Sequence, residues 1–68
     1  MKNKLRKLEF NCYINNSNLW VSIDKIEGLF HQWGLAIIDE KNITIAIVET
    51  ENGKIYRVVP EAITFLHN

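Results

Sequence analysis

The stretch E-G-L-F-H-Q-W-G, Glu27 to Gly34, gathers side chains suited to chemistry or recognition. An imidazole, His31, stands between Phe30 and Trp33, with Gln32 beside it and a glycine at either end. His31 has the chemistry of a metal ligand, a proton carrier or a pH-sensitive contact. Beside a tryptophan, the plainer expectation is a packed ring that hydrogen-bonds a backbone carbonyl. The other histidine, His67, is far away in sequence and adjoins the C-terminus, and neither has cysteine–histidine ligand spacing around it. Nucleophiles are scarce. Cys12 falls on the apolar side of an alternating segment, where a free thiol behaves as a small hydrophobe. Ser17 and Ser22 lack a G-x-S-x-G elbow. Of the carboxylates, Glu9 and Asp24 are expected to face each other across a hairpin, and Asp39, Glu40, Glu49 and Glu51 lie on or beside turns; none forms a cation cage. Gly28, Gly34 and Gly53 are isolated, so no phosphate-binding loop exists. The residues predict no enzyme, no metal site and no cofactor.

Composition narrows the class. The chain has 68 residues, enough for one domain spanning 1–68 and one core. Apolar residues make up 47% and charged residues 24%, the balance of a folded protein rather than a disordered one. Eight Lys and Arg offset eight Asp and Glu, so the whole chain has no general attraction to nucleic acid or to an anionic membrane. Basic residues nevertheless crowd the start at Lys2, Lys4, Arg6 and Lys7. That cluster reads either as a solvated, frayed arm or as a contact for phosphate or an acidic partner. One cysteine rules out an internal disulfide. No stretch approaches the ~18 apolar residues of a membrane span, and no signal-peptide core follows the charged start, so a cytoplasmic setting is expected.

The elements that would position these residues are strands. Leu8, Phe10, Cys12 and Ile14 alternate with polar neighbours, Asn15 to Asn18 form a turn, and Leu19, Val21 and Ile23 resume the alternation. A four-residue loop sets Ile14 opposite Leu19, Cys12 opposite Val21 and Phe10 opposite Ile23, with Tyr13 paired to Trp20 on the other face. A second hairpin joins Ile43–Val48 to Ile55–Val59. Asn52-Gly53 there predicts a two-residue type I′ turn flanked by Glu51 and Lys54, with Ile47 opposite Val58 and Ala46 opposite Val59. Apolar or small residues on both faces of 43–48 indicate a central strand. Leu35 to Ile38 is a further strand joined through Asp39 to Asn42. Pro60 to Ile63 suits a single 3₁₀ turn, and Thr64 to Leu66 a closing strand.

This order predicts an all-β, small SH3-like barrel of about five or six short antiparallel strands, with one 3₁₀ turn near residues 60–63. Glu27 to Gly34 falls between the hairpins and is expected to be a long loop bent at Gly28 and Gly34. Extended, it would put Leu29, His31 and Trp33 on one side and Phe30 and Gln32 on the other.

The words G-L-F-H-Q-W-G, I-A-I-V-E and G-K-I-Y-R-V-V-P-E-A-I-T-F-L resemble a group of small phage, prophage and mobile-element proteins. In these, a G-x-F-H-x-W/F-G word precedes an A-x-V-E strand, a turn and a P-x-x-I-x-F ending. The resemblance covers roughly residues 28 to 66 and implies an accessory protein of a phage or mobile element, in the cytoplasm of a bacterial host.

Recognition is then the expected activity. Phe30, His31, Gln32 and Trp33, with Tyr56 and Arg57 on the neighbouring hairpin, have the composition of a protein-binding hot spot. A host or phage protein is the expected partner, a defence system among them, and a free sheet edge allows a homodimer. The alternative is nucleic-acid binding, with Tyr13 and Trp20 stacking on bases and Lys2, Lys4, Arg6 and Lys7 on phosphates.

Overall fold

Alternation of side chains produces β-structure along nearly the whole chain. The computed structural model describes residues 5–66 and contains strands β1 (Arg6–Ile14), β2 (Trp20–Ile38), β3 (Lys41–Thr50), β4 (Ile55–Val58) and β5 (Ile63–Phe65), with a 3₁₀ turn at Pro60–Ala62. The expected all-β class and the 3₁₀ turn are both present. Every pairing is antiparallel: β1 to β2, β2 to β3 and β3 to β4, with β4 returning to β1 through the pair Ile14–Arg57. Four strands thus form a ring, and β5 adds to β1 at Leu8, Glu9 and Phe10. Lys2, Lys4 and His67 lie outside the described residues.

The core has two parts, one on each side of β3. Ala46 and Val48 join Leu8, Phe10 and Val58 in one buried cluster. Ile45 points the other way and packs with Ile14, Ala36, Ile38 and Val59. This is why β3 is apolar on both faces, as a central strand should be. Cys12 is half-buried against the second cluster and acts as core filler.

Beside their turns, both predicted hairpin registers are off by one residue, for one reason. In the first hairpin the Asn18 N–H donates to the Asn15 carbonyl at 3.0 Å, and the Asn15 N–H donates to the Leu19 carbonyl at 2.9 Å. Asn18 has φ 60°. This is a type I turn followed by a left-handed residue, with a loop of residues 16–18. The second hairpin repeats it: Gly53 N–H to the Thr50 carbonyl at 2.8 Å, Thr50 N–H to the Lys54 carbonyl at 2.9 Å, and φ 82° at Gly53. Odd-length loops shift the partners beside each turn by one; past the irregularity between Phe10 and Cys12 the first hairpin is three out, with Phe10 paired to Ile26 instead of Ile23. Ile14 pairs with Trp20, not Leu19; Ala46 pairs with Val58, not Val59; and Lys54 closes its turn with Thr50 rather than Glu51. Polar side chains at the first turn position reinforce both loops. Asn15 Oδ1 accepts from the N–H groups of Ser17 and Leu19 at 2.8 and 3.1 Å, and Thr50 Oγ1 donates to Asn52 Oδ1 at 2.7 Å.

The two-residue type I′ turn occurs elsewhere, between Ile38 and Lys41, with Asp39 at φ 52° and Glu40 at φ 64°. Neither is glycine, so this turn carries steric strain.

The largest departure from expectation is β2. Glu27 to Gly34 is not a loop; it is the middle of one strand of 19 residues. At Gly28, Leu29 and Phe30 this strand pairs on one edge with Leu8, Lys7 and Arg6 of β1 and on the other with Thr50, Glu49 and Val48 of β3. A Cβ on Gly28 would drive into Val48 Cγ1 and crowd the Glu49 carbonyl at 3.2 Å. Gly28 is therefore a close-approach glycine, not a hinge. Gly34 has only ordinary neighbours, Ile45 Cδ1 being 3.6 Å from such a Cβ.

Two consequences for stability can be measured. Glu40→Gly relieves left-handed strain in excess of the added chain entropy, a gain of about 1 kcal/mol, seen as a rise of roughly 4–8 °C in Tm; a lower Tm would refute the strain. Gly28→Ala costs about 1–3 kcal/mol by overpacking, whereas Gly34→Ala leaves the chemical-denaturation midpoint unchanged or slightly raised. Equal losses at both glycines would contradict the close approach at Gly28.

Candidate functional site

A bulge decides which rings share a face. The β2–β3 register shifts between Phe30 and Gln32, leaving His31 as the extra residue. Parity reverses there. Phe30 aligns with Val48 and Trp33 with Ala46, so both rings lie on the side of the first core cluster. They touch, with centroids 4.9 Å apart. The expectation that Phe30 and Trp33 occupy opposite faces is overturned by this one inserted residue.

The rings form a continuous run. Phe65 of β5 stands edge-on to Phe30 at 5.5 Å, and the Arg6 guanidinium carbon lies 3.8 Å from the Phe65 ring centroid. Phe30 is half-buried in the middle. Past Trp33, the same side of β2 presents Leu35 and Ile37, whose partners on β3 are the exposed Thr44 and Asn42. Trp33, Leu35 and Ile37 are 50, 70 and 65% exposed. Scattered exposed apolar residues are ordinary, but three on one side of one strand make a patch. Leu35, Ile37, Phe65 and the stacked Arg6 were not among the residues expected to bind a protein. The alternation Trp33-x-Leu35-x-Ile37 is present in the sequence, but an expected loop ending at Gly34 divides it.

The remaining expected residues lie elsewhere. His31 Nε2 is 2.8 Å from Glu49 Oε1 at the surface, a carboxylate contact instead of a backbone one. Gln32 pairs with Ile47 and so faces away from Trp33. Tyr56 is on the Phe30 side but packs against Phe10 and, edge-on at 4.8 Å, against Tyr13. Arg57 reaches across the ring, its Nη2 donating to the Asn15 carbonyl at 2.5 Å with Asn18 Oδ1 at 3.4 Å. Tyr13, Asn15, Asn16, Lys54, Tyr56 and Arg57 line an open, mostly polar depression at that end.

The nucleic-acid set is dispersed as well. With Ile14 opposite Trp20 and Tyr13 opposite Val21, Tyr13 and Trp20 point to opposite faces rather than pairing. Arg6 and Lys7 stand at the far end of β1 from Tyr13, about 20 Å away at strand rise, and Arg6 is committed to Phe65. Glu9 faces Glu27 instead of Asp24, with Lys25 Nζ 3.2 Å from its carboxylate. Among the described residues, no group of three His, Cys, Asp or Glu side chains could hold a metal ion, and no helix is long and apolar enough to cross a membrane.

No protein-family model, curated protein or solved structure matches the chain. Its functional reading therefore rests on the geometry above.

Arg57 is the side chain that fastens the ring where its ladder is thinnest. Arg57→Ala removes a charged donor and orphans the Asn15 carbonyl, so equilibrium urea unfolding should register a loss of about 1.5–3 kcal/mol. A loss below a few tenths would show that the contact is incidental.

Proposed function

We propose that this chain is a non-enzymatic protein-interaction module on an SH3-like barrel, an accessory protein of a phage or mobile element that works in the cytoplasm of a bacterial host. One observation carries the binding reading: Trp33, Leu35 and Ile37, each at least half in water, continue the ring run Phe65–Phe30–Trp33 along β2. Leaving large apolar side chains in water forgoes roughly 1.5–3 kcal/mol each; a partner that covers them recovers it. Phe30, itself packed against Phe65, lies against the Trp33 ring, so less side-chain freedom is lost on binding. Asn42 and Thr44 supply a polar border, and the Arg6 cation caps the opposite end. The mode of action is occupancy: the surface docks on a host or phage protein and alters its activity, a defence protein being one such target. The resemblance of residues 28 to 66 to phage and mobile-element proteins supports the setting.

The nucleic-acid reading has less support, since its aromatic and basic members are spread over two faces and both ends of β1.

Capture from bacterial lysate by the tagged chain tests the reading. Trp33→Ala should keep the β-sheet circular-dichroism spectrum and reduce recovery of the protein partner about thirtyfold or more, while Trp20→Ala has no effect. Recovery of nucleic acid alone, lost steeply with added salt and insensitive to Trp33→Ala, would replace this reading with the other.

A further inference from the structure

We infer that β2 pairs with β2 of a second copy of this chain, antiparallel, along the edge from Gln32 to Ile38 and about a two-fold axis at Leu35. The inference rests on reading the Trp33–Ile37 stripe as an interaction surface and names what lies against its edge.

The first observation is an open ladder. β1 accompanies β2 as far as the pair Arg6–Phe30, and β3 accompanies it from Gly28 to Ile38. Beyond Phe30, β2 is therefore paired on one edge only among the described residues. Strand edges in monomers are guarded by lysine, proline, inward charge or brevity. Gln32-Trp33-Gly34-Leu35-Ala36-Ile37-Ile38 has none of these over seven consecutive positions, in a chain that is 24% charged.

The second observation is that this edge is self-complementary. With Leu35 opposite its own copy, Trp33 meets the partner's Ile37, Gly34 meets the partner's Ala36, and Gln32 meets the partner's Ile38. That register uses the open edge from end to end and stops at the strained Asp39–Glu40 turn. On the exposed side, each cross-strand pair is large and apolar, the aromatic–β-branched and aliphatic combinations that stabilise sheets. The central pairs on the other side are small. No like charges meet, and a chain with zero formal net charge does not repel its copy. An isologous two-fold contact requires a self-complementary edge of this kind, and it closes after two copies instead of growing into a filament.

Position 35 opposing itself gives a sharp test. Sedimentation equilibrium of the full chain, from about 1 μM to about 1 mM, should show a dimer of the 8.0 kDa chain. Leu35→Lys and Leu35→Glu each place like charges face to face and should weaken the dimer about tenfold or more. Leu35 is largely in water, so both variants should keep the native circular-dichroism spectrum. An equimolar mixture of the two should restore the dimer. Amide exchange provides a readout without substitution, with the outer-edge amides between Gln32 and Ile38 slowing as concentration rises. A monomeric native chain, an undiminished dimer in Leu35→Lys, a mixture that stays monomeric, or edge amides indifferent to concentration would each overturn the inference. A native monomer that still captures another protein through Trp33 overturns self-pairing alone. A dimer restored by the mixture, without Trp33-dependent capture, supports self-pairing and removes the heterologous reading.

Discussion

The structure depends on the approach of three backbones at Gly28. One long strand serves two ladders, and for three residues it serves both at once, with β1 on one edge and β3 on the other. Val48 and Phe10 fill the space beneath this junction, and a side chain at Gly28 would displace Val48. Because β2 is continuous here, the first hairpin and the β2–β3 hairpin are fixed relative to each other without a linker. The first core cluster forms under the junction. The arm of β2 beyond it extends past the end of β1, which leaves Trp33, Leu35 and Ile37 uncovered.

Much of this architecture was legible in the sequence. Alternation located the strands, Pro60 located the 3₁₀ turn, and the two-sided apolarity of Ile43 to Val48 marked the central strand. Turn chemistry was harder to read. Asn52-Gly53 suits a two-residue type I′ turn, yet Gly53 fits equally as the left-handed residue that follows a type I turn, and the chain uses it so. The side chains of Asn15 and Thr50, each bonded within its own loop, tip the balance toward the longer turn. Meanwhile Asp39-Glu40 adopts the tight turn without a glycine, because strands paired on both sides of it impose the geometry.

The candidate site was legible in composition but not in arrangement. Phe30 and Trp33 stood out as candidate site residues, while their common face did not, since it depends on His31 being skipped in the ladder. A bulge has no reliable residue signature, and one inserted position reverses the parity of all that follows. Gln32 was expected on the face of Phe30 and instead lies on the reverse side. Tyr56 and Arg57 were expected to enlarge the surface, but the first is packed against two rings and the second is tied to a carbonyl. Large side chains with polar tips serve cores and interfaces equally well, and only their neighbours tell which.

The ring's seams are unequal. Long ladders join β1 to β2 and β2 to β3, whereas β4 meets β1 through one backbone pair, the reach of one guanidinium and side-chain packing such as Tyr56 on Phe10 and Tyr13. Thermal breathing in such a molecule concentrates where the fewest bonds must part, so the cylinder unzips between Ile14 and Arg57 well before its other seams yield. Solvent would enter first at the Tyr13–Tyr56 contact beside that seam, away from the long β2–β3 ladder. The seam that opens first and the exposed stripe of Trp33, Leu35 and Ile37 thereby fall in different parts of a very small protein.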